Sequence, residues 1–488
     1  MRARHQGPLR PEIAANTPPG AQKSRLQAVE PFAQPGGVGA QGVEGAAFHL
    51  VELPIHHAEA VVVAPVTGRP LGILTQRDVV ERVALSGESL DAPVAGVMTG
   101  GIVALPRTAG VHDARLLLAR HRLRRLVMVD EVGRLLGVVS REDLYAVRGP
   151  RADDLIERIQ SVRDETGLTS VARQVSVRAA ALVDGGEQAG RAGEWIALLN
   201  DLIAQAAIDI AEAEFDLPMV PWCWLAFGSE GRLEQTLHTD QDNGLIFRAA
   251  DEAESESLRA RFLPFAQRVN ALLDACGFSL CQGGIMAGNP CWCLSLSEWC
   301  GRFSDWMRSA SAEDLLNATI FFDFRALVGD VALADSLRGW LLAAAADNAL
   351  FLRFMAENAL RSGPPLGRIR DFVVDRQSGR LDLKRDGTRP FVDAARIYAL
   401  ELGLTETATV ERLRAAGAVL RWGEREIGAL SEAFEFILQL RLRRQRAPGT
   451  PPNQVAPDEL NELERAFLKE SLRQARRLQD RLRGRYQL

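Results

Sequence analysis

The chain has 488 residues, a length that predicts about three domains. Hydrophobic residues make up 47% and charged residues 25%, which is typical of a globular protein with substantial buried cores. The net charge of -5 gives no overall attraction to nucleic acid or to an anionic membrane, and no apolar run reaches the roughly 20 residues that span a bilayer. We therefore expect a cytoplasmic protein with no membrane and no nucleic-acid partner, since the first residues also lack the apolar core of a signal peptide.

The first segment, residues 1–38, is rich in Pro, Gly, Gln and Ala and has no apolar period. Such a composition cannot bury enough apolar surface to fold. We predict that this segment is disordered.

An internal repeat follows. AVVVAPVTGRPLGILTQRDVVERV (60–83) aligns with RLVMVDEVGRLLGVVSREDLYAV (125–147), and Gly72 and Gly137 are 65 residues apart. Each copy reads as a strand, a turn, a second short strand and a helix.

A hydroxyl and a carboxylate occupy matched positions in the two copies. Thr75 and Asp78 in the first copy correspond to Ser140 and Asp143 in the second. The hydroxyl ends a strand and the Asp starts a helix, so both can face one crevice, where a carboxylate suits ribose hydroxyls and a helix N-terminus suits phosphate. The alternative is that these residues only cap the helix.

The repeat, with PVAGVMTGGIVAL between its copies, resembles a tandem CBS-domain pair, or Bateman module, over residues 39–150. This resemblance implies a site for AMP, ADP or ATP and a homodimer formed through the pair. The implied ribose and phosphate contacts are Thr75, Asp78, Ser140 and Asp143. The first copy looks truncated, because HLVELPIHHAEA stands where a leading helix is expected.

Residues 151–215 carry apolar residues at intervals of three and four, with a Gly-containing gap near 185–194. This period predicts amphipathic helices. We expect them to link the repeat to the rest of the chain.

A pair of aspartates follows this linker. PWCWLAFGSEGR reads as a buried strand, a Gly-Ser turn and the start of a helix, and HTDQDNGLIFR reads as a second strand that carries Asp240 and Asp242. Residues two apart on a strand project to the same face. Two carboxylates on one face repel each other unless a cation lies between them, so the pair predicts a site for Mg²⁺ or Mn²⁺.

The Gly-Ser turn adds phosphate-binding groups. Gly228 allows the backbone to approach a ligand, Ser229 can hydrogen-bond a phosphate, and Arg232 can make a bidentate contact. Together with a metal, these groups are typical of a phosphoryl-transfer site.

The ordered motif GSEGRLEQTLHTDQDN, which includes Glu234 and Gln235, resembles the nucleotidyltransferase superfamily. It is most similar to the nucleotidyltransferases fused to CBS domains in bacteria, which are relatives of protein-PII uridylyltransferases and glutamine synthetase adenylyltransferases. The resemblance covers most of the chain from about residue 155 and includes IFFDFRALVGD (320–330) and LDLKRDGTRPFVDAARI (381–397).

The resemblance implies an α/β plus α architecture: the CBS pair, the helical linker, a mixed-sheet nucleotidyltransferase domain at 216–325, and a helical substrate-binding domain at 326–488. It implies transfer of a nucleoside monophosphate from an NTP to a hydroxyl acceptor on a protein, regulated by the CBS pair. Asp240 and Asp242 are the implied catalytic metal ligands. Lys384 and Arg389 are implied triphosphate contacts, although they could instead form salt bridges on a helix surface.

One feature departs from the superfamily pattern. Members usually add a third carboxylate from a later strand, but the strand predicted at GFSLCQGGIMAG (277–288) has no acid. Asp323 and Asp382 are candidates to replace it. The alternative function is a nucleotide-sensing signalling protein without catalysis.

The six cysteines all lie between residues 223 and 300. Their spacing does not match a zinc knuckle, and a cytoplasmic protein keeps its thiols reduced. We predict reduced, mostly buried thiols, with a metal or redox cluster as the alternative. The residues are Cys223, Cys276, Cys281, Cys291, Cys293 and Cys300.

Overall fold

The computed structural model divides the chain into two compact units, one formed by residues up to Thr108 with Val127–Val138, and one formed by Ala109–Leu126 with Val139–Leu488. The described residues are 48–50, 60–65, 69–86, 93–107, 125–140, 153–184, 189–309, 319–367, 372–446 and 451–488, with isolated positions between 109 and 123. The segment 1–38 and Asp143 lie outside these residues.

The first unit has the strand-turn-strand pattern predicted for each repeat copy. In the first copy, β2 (Ala60–Pro65) pairs antiparallel with β3 (Gly72–Thr75), and β1 (Phe48–Leu50), which precedes this copy, pairs antiparallel with β2. In the second copy, β5 (Arg125–Val129) neighbours β6 (Leu135–Ser140), and β4 (Ala104–Pro106), which precedes this copy, pairs parallel with β5. Helix α1 (Gln76–Asp78), a π-helical turn (Val79–Ala84) and α2 (Val94–Val97) follow β3.

The second unit begins with the predicted linker helices α3 (Asp153–Ser161), α4 (Glu165–Asp184) and α5 (Ala189–Glu214). A mixed four-stranded sheet with the order β10-β7-β8-β9 follows. Its strands are β7 (Trp222–Ala226), β8 (Asn243–Phe247), β9 (Cys293–Ser295) and β10 (Arg325–Gly329). Strand β7 is antiparallel to both of its neighbours, whereas β8 and β9 are parallel. Helices α6 (Gly228–Gly231), α7 (Glu252–Ala275) and α8 (Leu296–Ser309) connect these strands.

Both faces of the sheet are buried, which explains why β7 is apolar throughout and β8 is apolar from Leu245 to Phe247. Alternate residues of a strand face opposite sides. Leu225 and Ile246 join a core shared with the C-terminal helices, while Trp224, Leu245 and Phe247 join a second core shared with the linker helices and α7. The sheet is therefore the middle layer between two helical layers.

The C-terminal layer is helical, as predicted. Its helices are α9 (Val331–Ala346), α10 (Ala349–Leu360), α11 (Arg389–Leu402), α12 (Thr409–Val419), α13 (Glu424–Arg446) and α14 (Glu462–Tyr486). Side-chain caps start several of them: Asp330, Asn348 and Asn461 accept hydrogen bonds from the first turns of α9, α10 and α14. A π-helical turn (Leu383–Thr388) leads into α11, after the two-residue strand β11 (Leu381–Asp382), which pairs with β12 (Gln454–Val455).

The six cysteines are free thiols, but they are less buried than predicted. Cys223 and Cys293 are buried and Cys291 is exposed, while the other three are partly buried. Among the described residues, no helix is both long enough and apolar enough to cross a bilayer.

Candidate functional site

A cavity of 460 Å³ opens at the end of the sheet where β7 stops and β8 begins. All seven residues predicted to hold the NTP and its metal line this cavity. They are Gly228, Ser229, Arg232, Asp240, Asp242, Lys384 and Arg389. The fold therefore brings together side chains that lie far apart in the sequence.

The Gly-Ser turn has no space for larger residues. Gly228 has a φ of +56°, and a Cβ there would lie 2.8 Å from the Ile320 side chain. At Gly231, a Cβ would lie 2.0 Å from the carbonyl oxygen of Asp323. The amide of Phe227 donates to the carbonyl of Asp242 at 2.8 Å, which ties the turn to the aspartate pair.

Asp240 and Asp242 precede β8 and do not lie within it, so the prediction that the strand carries them was wrong. Asp240 forms only an isolated bridge with Ser279, and regular pairing with β7 starts at Asn243. Opposite this entry, strand β7 ends at Ala226, and the last backbone hydrogen bond between the two segments runs from the amide of Phe227 to the carbonyl of Asp242. The pair consequently lies at the edge of the cavity, at the end of the sheet.

The surroundings of Asp242 disfavour its charged form, and a bound cation would stabilise that form. Burial, with a smaller contribution from the charge of Asp240, raises the pKa of Asp242 to about 6, although a hydrogen bond from Cys281 and the charges of Lys384 and Arg232 act in the opposite direction. A carboxylate whose charged form is disfavoured gains strongly from a divalent cation. The donor set therefore fits Mg²⁺ or Mn²⁺, both of which prefer carboxylate oxygen.

The third carboxylate is not where the superfamily pattern predicts it. Segment 277–288 forms turns with an isolated bridge, not a strand, because its residues include four glycines and pair little with the sheet. Asp323 lies just before β10, but both of its oxygens accept hydrogen bonds from arginines. Asp382 does line the cavity, where its Oδ1 caps the π-helical turn. Among the described residues, no three His, Cys, Asp or Glu side chains lie close enough to hold one metal ion.

The basic residues of the cavity differ in their partners. Arg232 donates from Nε to Glu234 at 2.7 Å and from Nη1 to Asp323 at 2.6 Å. Arg389 pairs with Asp393 at 3.2 Å, as the salt-bridge alternative predicted. Lys384, by contrast, makes no ion pair with any described residue.

A buried glutamate lies behind the Gly-Ser turn. Burial raises the pKa of Glu230 to about 8; the charges of Asp201 and Asp242 also raise it, and Arg325 lowers it. Glu230 therefore carries a proton at neutral pH in the folded protein, against an ordinary value of 4.5.

This shift predicts a specific pH dependence for Glu230→Gln. The pKa of Glu230 is higher in the folded than in the unfolded protein, so the free energy of unfolding of the wild type falls as the pH rises from about 5 to about 8. Glutamine does not ionise, so the variant does not lose this stability. The variant should equal the wild type at pH 5 and exceed it by up to about 5 kcal/mol at pH 9. Urea unfolding across this range measures the difference, with the exposed Glu252→Gln as control. If the free energies of unfolding of wild type and Glu230→Gln change with pH in the same way, Glu230 does not have a raised pKa in the folded protein.

In the first repeat copy, Thr75 and Asp78 form a capping box. Asp78 Oδ2 accepts from the amide of Thr75 at 2.8 Å and from its hydroxyl at 2.6 Å, and Oδ1 accepts from Thr99 at 2.9 Å. This geometry agrees with the alternative prediction that Thr75 and Asp78 cap the helix. Ser140 ends β6, as predicted.

Three family models match the chain. A CBS-domain model matches residues 94–148, the model described as "Putative nucleotidyltransferase DUF294" matches 173–313, and the model described as "Putative nucleotidyltransferase substrate binding domain" matches 349–486. Taken together, the three models match the domain arrangement of the CBS-fused nucleotidyltransferase family. The resemblance predicted from the motif is confirmed.

The cavity is lined by residues from both regions that match the nucleotidyltransferase models. Gly228 to Asp242 lie in the first, and Asp382 to Arg441 lie in the second. The CBS match includes Ser140 and starts after Asp78.

Other relatives match shorter stretches of the chain. An uncharacterized protein of Methanopyrus kandleri is 28% identical over 111 residues, 22% of this chain and 57% of that protein. A CBS domain-containing protein of Bacillus subtilis is 37% identical over 73 residues, 15% and 51% respectively. The chain thus spans about half the length of these relatives. Among solved structures, a CBS domain protein from Pyrobaculum aerophilum complexed with AMP is 27% identical, with a TM-score of 0.18, covering 20% of this chain and 72% of that one.

Sequence reasoning missed several cavity residues of the C-terminal helices. Asp393 and Arg396 lie among apolar residues of α11, and Arg441 lies among leucines in α13. A charged residue inside an apolar stretch predicts a buried ion pair or a site, since an unpaired buried charge is costly. That signal was available in both helices.

Proposed function

We propose that this protein transfers a nucleoside monophosphate from an NTP to a hydroxyl acceptor on another protein. The main support is one 460 Å³ cavity that combines the Gly-Ser turn, the aspartate pair and Lys384, which forms no ion pair within the described part of the chain. Its volume is within the range of small-molecule sites. We assign the acceptor hydroxyl to another molecule, because Ser229, the hydroxyl of the Gly-Ser turn, is assigned to phosphate binding.

Each group has a role in this reaction. Asp240 and Asp242 would hold Mg²⁺ or Mn²⁺, which neutralises phosphate charge when bound. Ser229, Arg232 and Lys384 bind and orient the triphosphate. The acceptor oxygen then bonds to the α-phosphorus as the bond from that phosphorus to the bridging oxygen breaks, and pyrophosphate leaves with the electron pair.

Asp382 is the candidate acceptor of the proton from the hydroxyl. Of the acidic residues that line the cavity, Glu234 and Asp393 are ion-paired with arginines, and Asp240 and Asp242 are assigned to the metal. Asp382 forms no salt bridge with any described residue. It is therefore the remaining carboxylate in position for general-base work.

The test is incubation of the full chain with each α-labelled NTP, Mg²⁺ or Mn²⁺ and host lysate, followed by a search for labelled protein. Label on a discrete acceptor supports transfer. A protein-PII acceptor is one candidate, by the resemblance of the motif to uridylyltransferases.

A non-catalytic nucleotide sensor is the second candidate, because no third carboxylate joins the metal pair among the described residues. It predicts tight Mg-NTP binding without label transfer from any NTP. Transfer that depends on Asp382 would exclude it.

For the CBS pair, we propose regulation by an adenine nucleotide bound through Thr75, Asp78, Ser140 and Asp143, in a homodimer. The full-length Asp78→Ala, Asp143→Ala variant should lose AMP, ADP and ATP binding at this module, because both ribose carboxylates are removed. Loss of the capping box at Asp78 should also cost about 1 kcal/mol of stability. Calorimetry, with Asp240 and Asp242 replaced to silence the NTP cavity, measures both wild-type and variant binding. Unchanged affinity would refute these contacts.

A further inference from the structure

Asp323 forms a buried junction between the nucleotide cavity and the C-terminal helices. It is fully buried, and it accepts hydrogen bonds from Arg232 Nη1 at 2.6 Å, Arg396 Nη2 at 2.6 Å and Arg412 Nη1 at 2.5 Å. These three arginines come from the Gly-Ser turn, α11 and α12. Burial alone raises the pKa of Asp323, but the charges of Arg396, Arg412 and Arg232 outweigh it and hold the pKa far below its ordinary range.

Glu234 connects the same elements a second time. It accepts from Arg232 Nε at 2.7 Å and from the amide of Thr409, at the first turn of α12, at 2.7 Å. Both acids that hold Arg232 are therefore also bonded to the C-terminal helices. The orientation of Arg232 depends on how those helices dock.

The backbone reinforces this junction. The carbonyl of Asp323 lies so close to Gly231 that no Cβ fits between them. The turn that carries Gly228 and Ser229 is thus fixed against the residue that holds Arg232.

The junction has an excess of positive charge beside the cavity. Three carboxylates of the junction face four guanidinium groups. The carboxylates belong to Asp323, Glu234 and Asp393, and the guanidinium groups belong to Arg232, Arg389, Arg396 and Arg412. Arg232 uses Nε and Nη1 in these bonds, which leaves Nη2 without a hydrogen-bond partner among the described residues. A triphosphate in the cavity would supply both the missing charge and the missing acceptor.

We propose that Asp323 and Glu234 are positioning residues that hold Arg232 toward the nucleotide phosphates and make NTP binding depend on docking of α11 and α12. This inference rests on the proposed function. It assigns to the C-terminal helices a part in assembling the NTP site, besides lining it.

A double-mutant cycle tests positioning separately from general stability. The full chain and its Glu234→Gln, Arg232→Ala and doubly substituted variants are titrated with the Mg²⁺ complexes of ATP, UTP, CTP and GTP. Glutamine keeps an oxygen that can accept from Thr409. We expect Glu234→Gln to weaken the tightest of these complexes by about tenfold in the wild type, yet to have no further effect once Arg232 is alanine.

Asp323→Asn should weaken binding similarly if it folds, as judged by circular dichroism and thermal midpoint. If it does not fold, the Glu234 and Arg232 cycle still decides the question. Glu401→Gln, which removes an ion pair with Arg485 away from the cavity, should leave binding unchanged.

The outcomes separate the two proposals. If Mg-NTP binding requires Asp242 but the effects of Glu234→Gln and Arg232→Ala are additive, the positioning role is overturned. The proposed function would stand in that case. Absence of Mg-NTP binding in the wild type would overturn the proposed function and this inference with it.

Discussion

Replacing Asp240 or Asp242 with asparagine is expected to abolish Mg²⁺-dependent NTP binding and to reduce label transfer by at least about 100-fold. Each variant removes half of the carboxylate charge available to the ion. Asp242 should be the more sensitive of the two, because it is the more buried and its charge has more to gain from a cation. Titration with Mg-NTP and the label-transfer assay measure the two effects.

The matched control is Asp274→Asn, an exposed acid on α7 whose loss should leave both measurements unchanged. Asp382→Asn supplies an intermediate case. It should retain Mg-NTP binding and lose transfer, since we assign it to the proton and not to the metal. Wild-type binding in Asp242→Asn would show that the metal site lies elsewhere.

Gly231→Ala is expected to destabilise the second unit by about 3 kcal/mol or more and to disrupt NTP binding. The new Cβ would lie 2.0 Å from the carbonyl oxygen of Asp323 and 2.9 Å from that of Ala226. Both neighbours are backbone atoms at the end of the sheet, so the turn itself has to move. Chemical denaturation and Mg-NTP titration measure the result.

Gly301→Ala is the matched control. Gly301 lies within α8, and an added Cβ meets no atom within 4 Å. That substitution should be neutral or stabilise the protein by up to about 1 kcal/mol, because alanine favours helix. Equal effects of the two substitutions would mean that the turn is not held against Asp323.

The sequence predicted most of the elements and the central residues of the site. The matched spacing of Gly72 and Gly137 identified the repeat, and the apolar period over 151–215 predicted the linker helices. The Gly-Ser turn after an apolar strand, followed by Asp240 and Asp242, predicted which side chains would meet. These features are local, so their periods and turn residues can be read directly from the chain.

Other features depended on the tertiary structure. The strand predicted at 277–288 is a set of turns, and the strand that pairs with β8 is at Cys293–Ser295, because pairing depends on which segment the fold brings beside the sheet. Asp323 could be named as a candidate third carboxylate, but only packing decided that it binds arginines instead.

Those arginines lie 73 to 91 residues away from Asp323 in the chain. No local period specifies contacts over such separations. A carboxylate also has the same sequence signature whether it meets a metal ion or a guanidinium group. The sequence by itself therefore determined the family motif, the helices and the aspartate pair, whereas the packing of α11 and α12 against the Gly-Ser turn decided which charges lie free in the cavity and which neutralise each other.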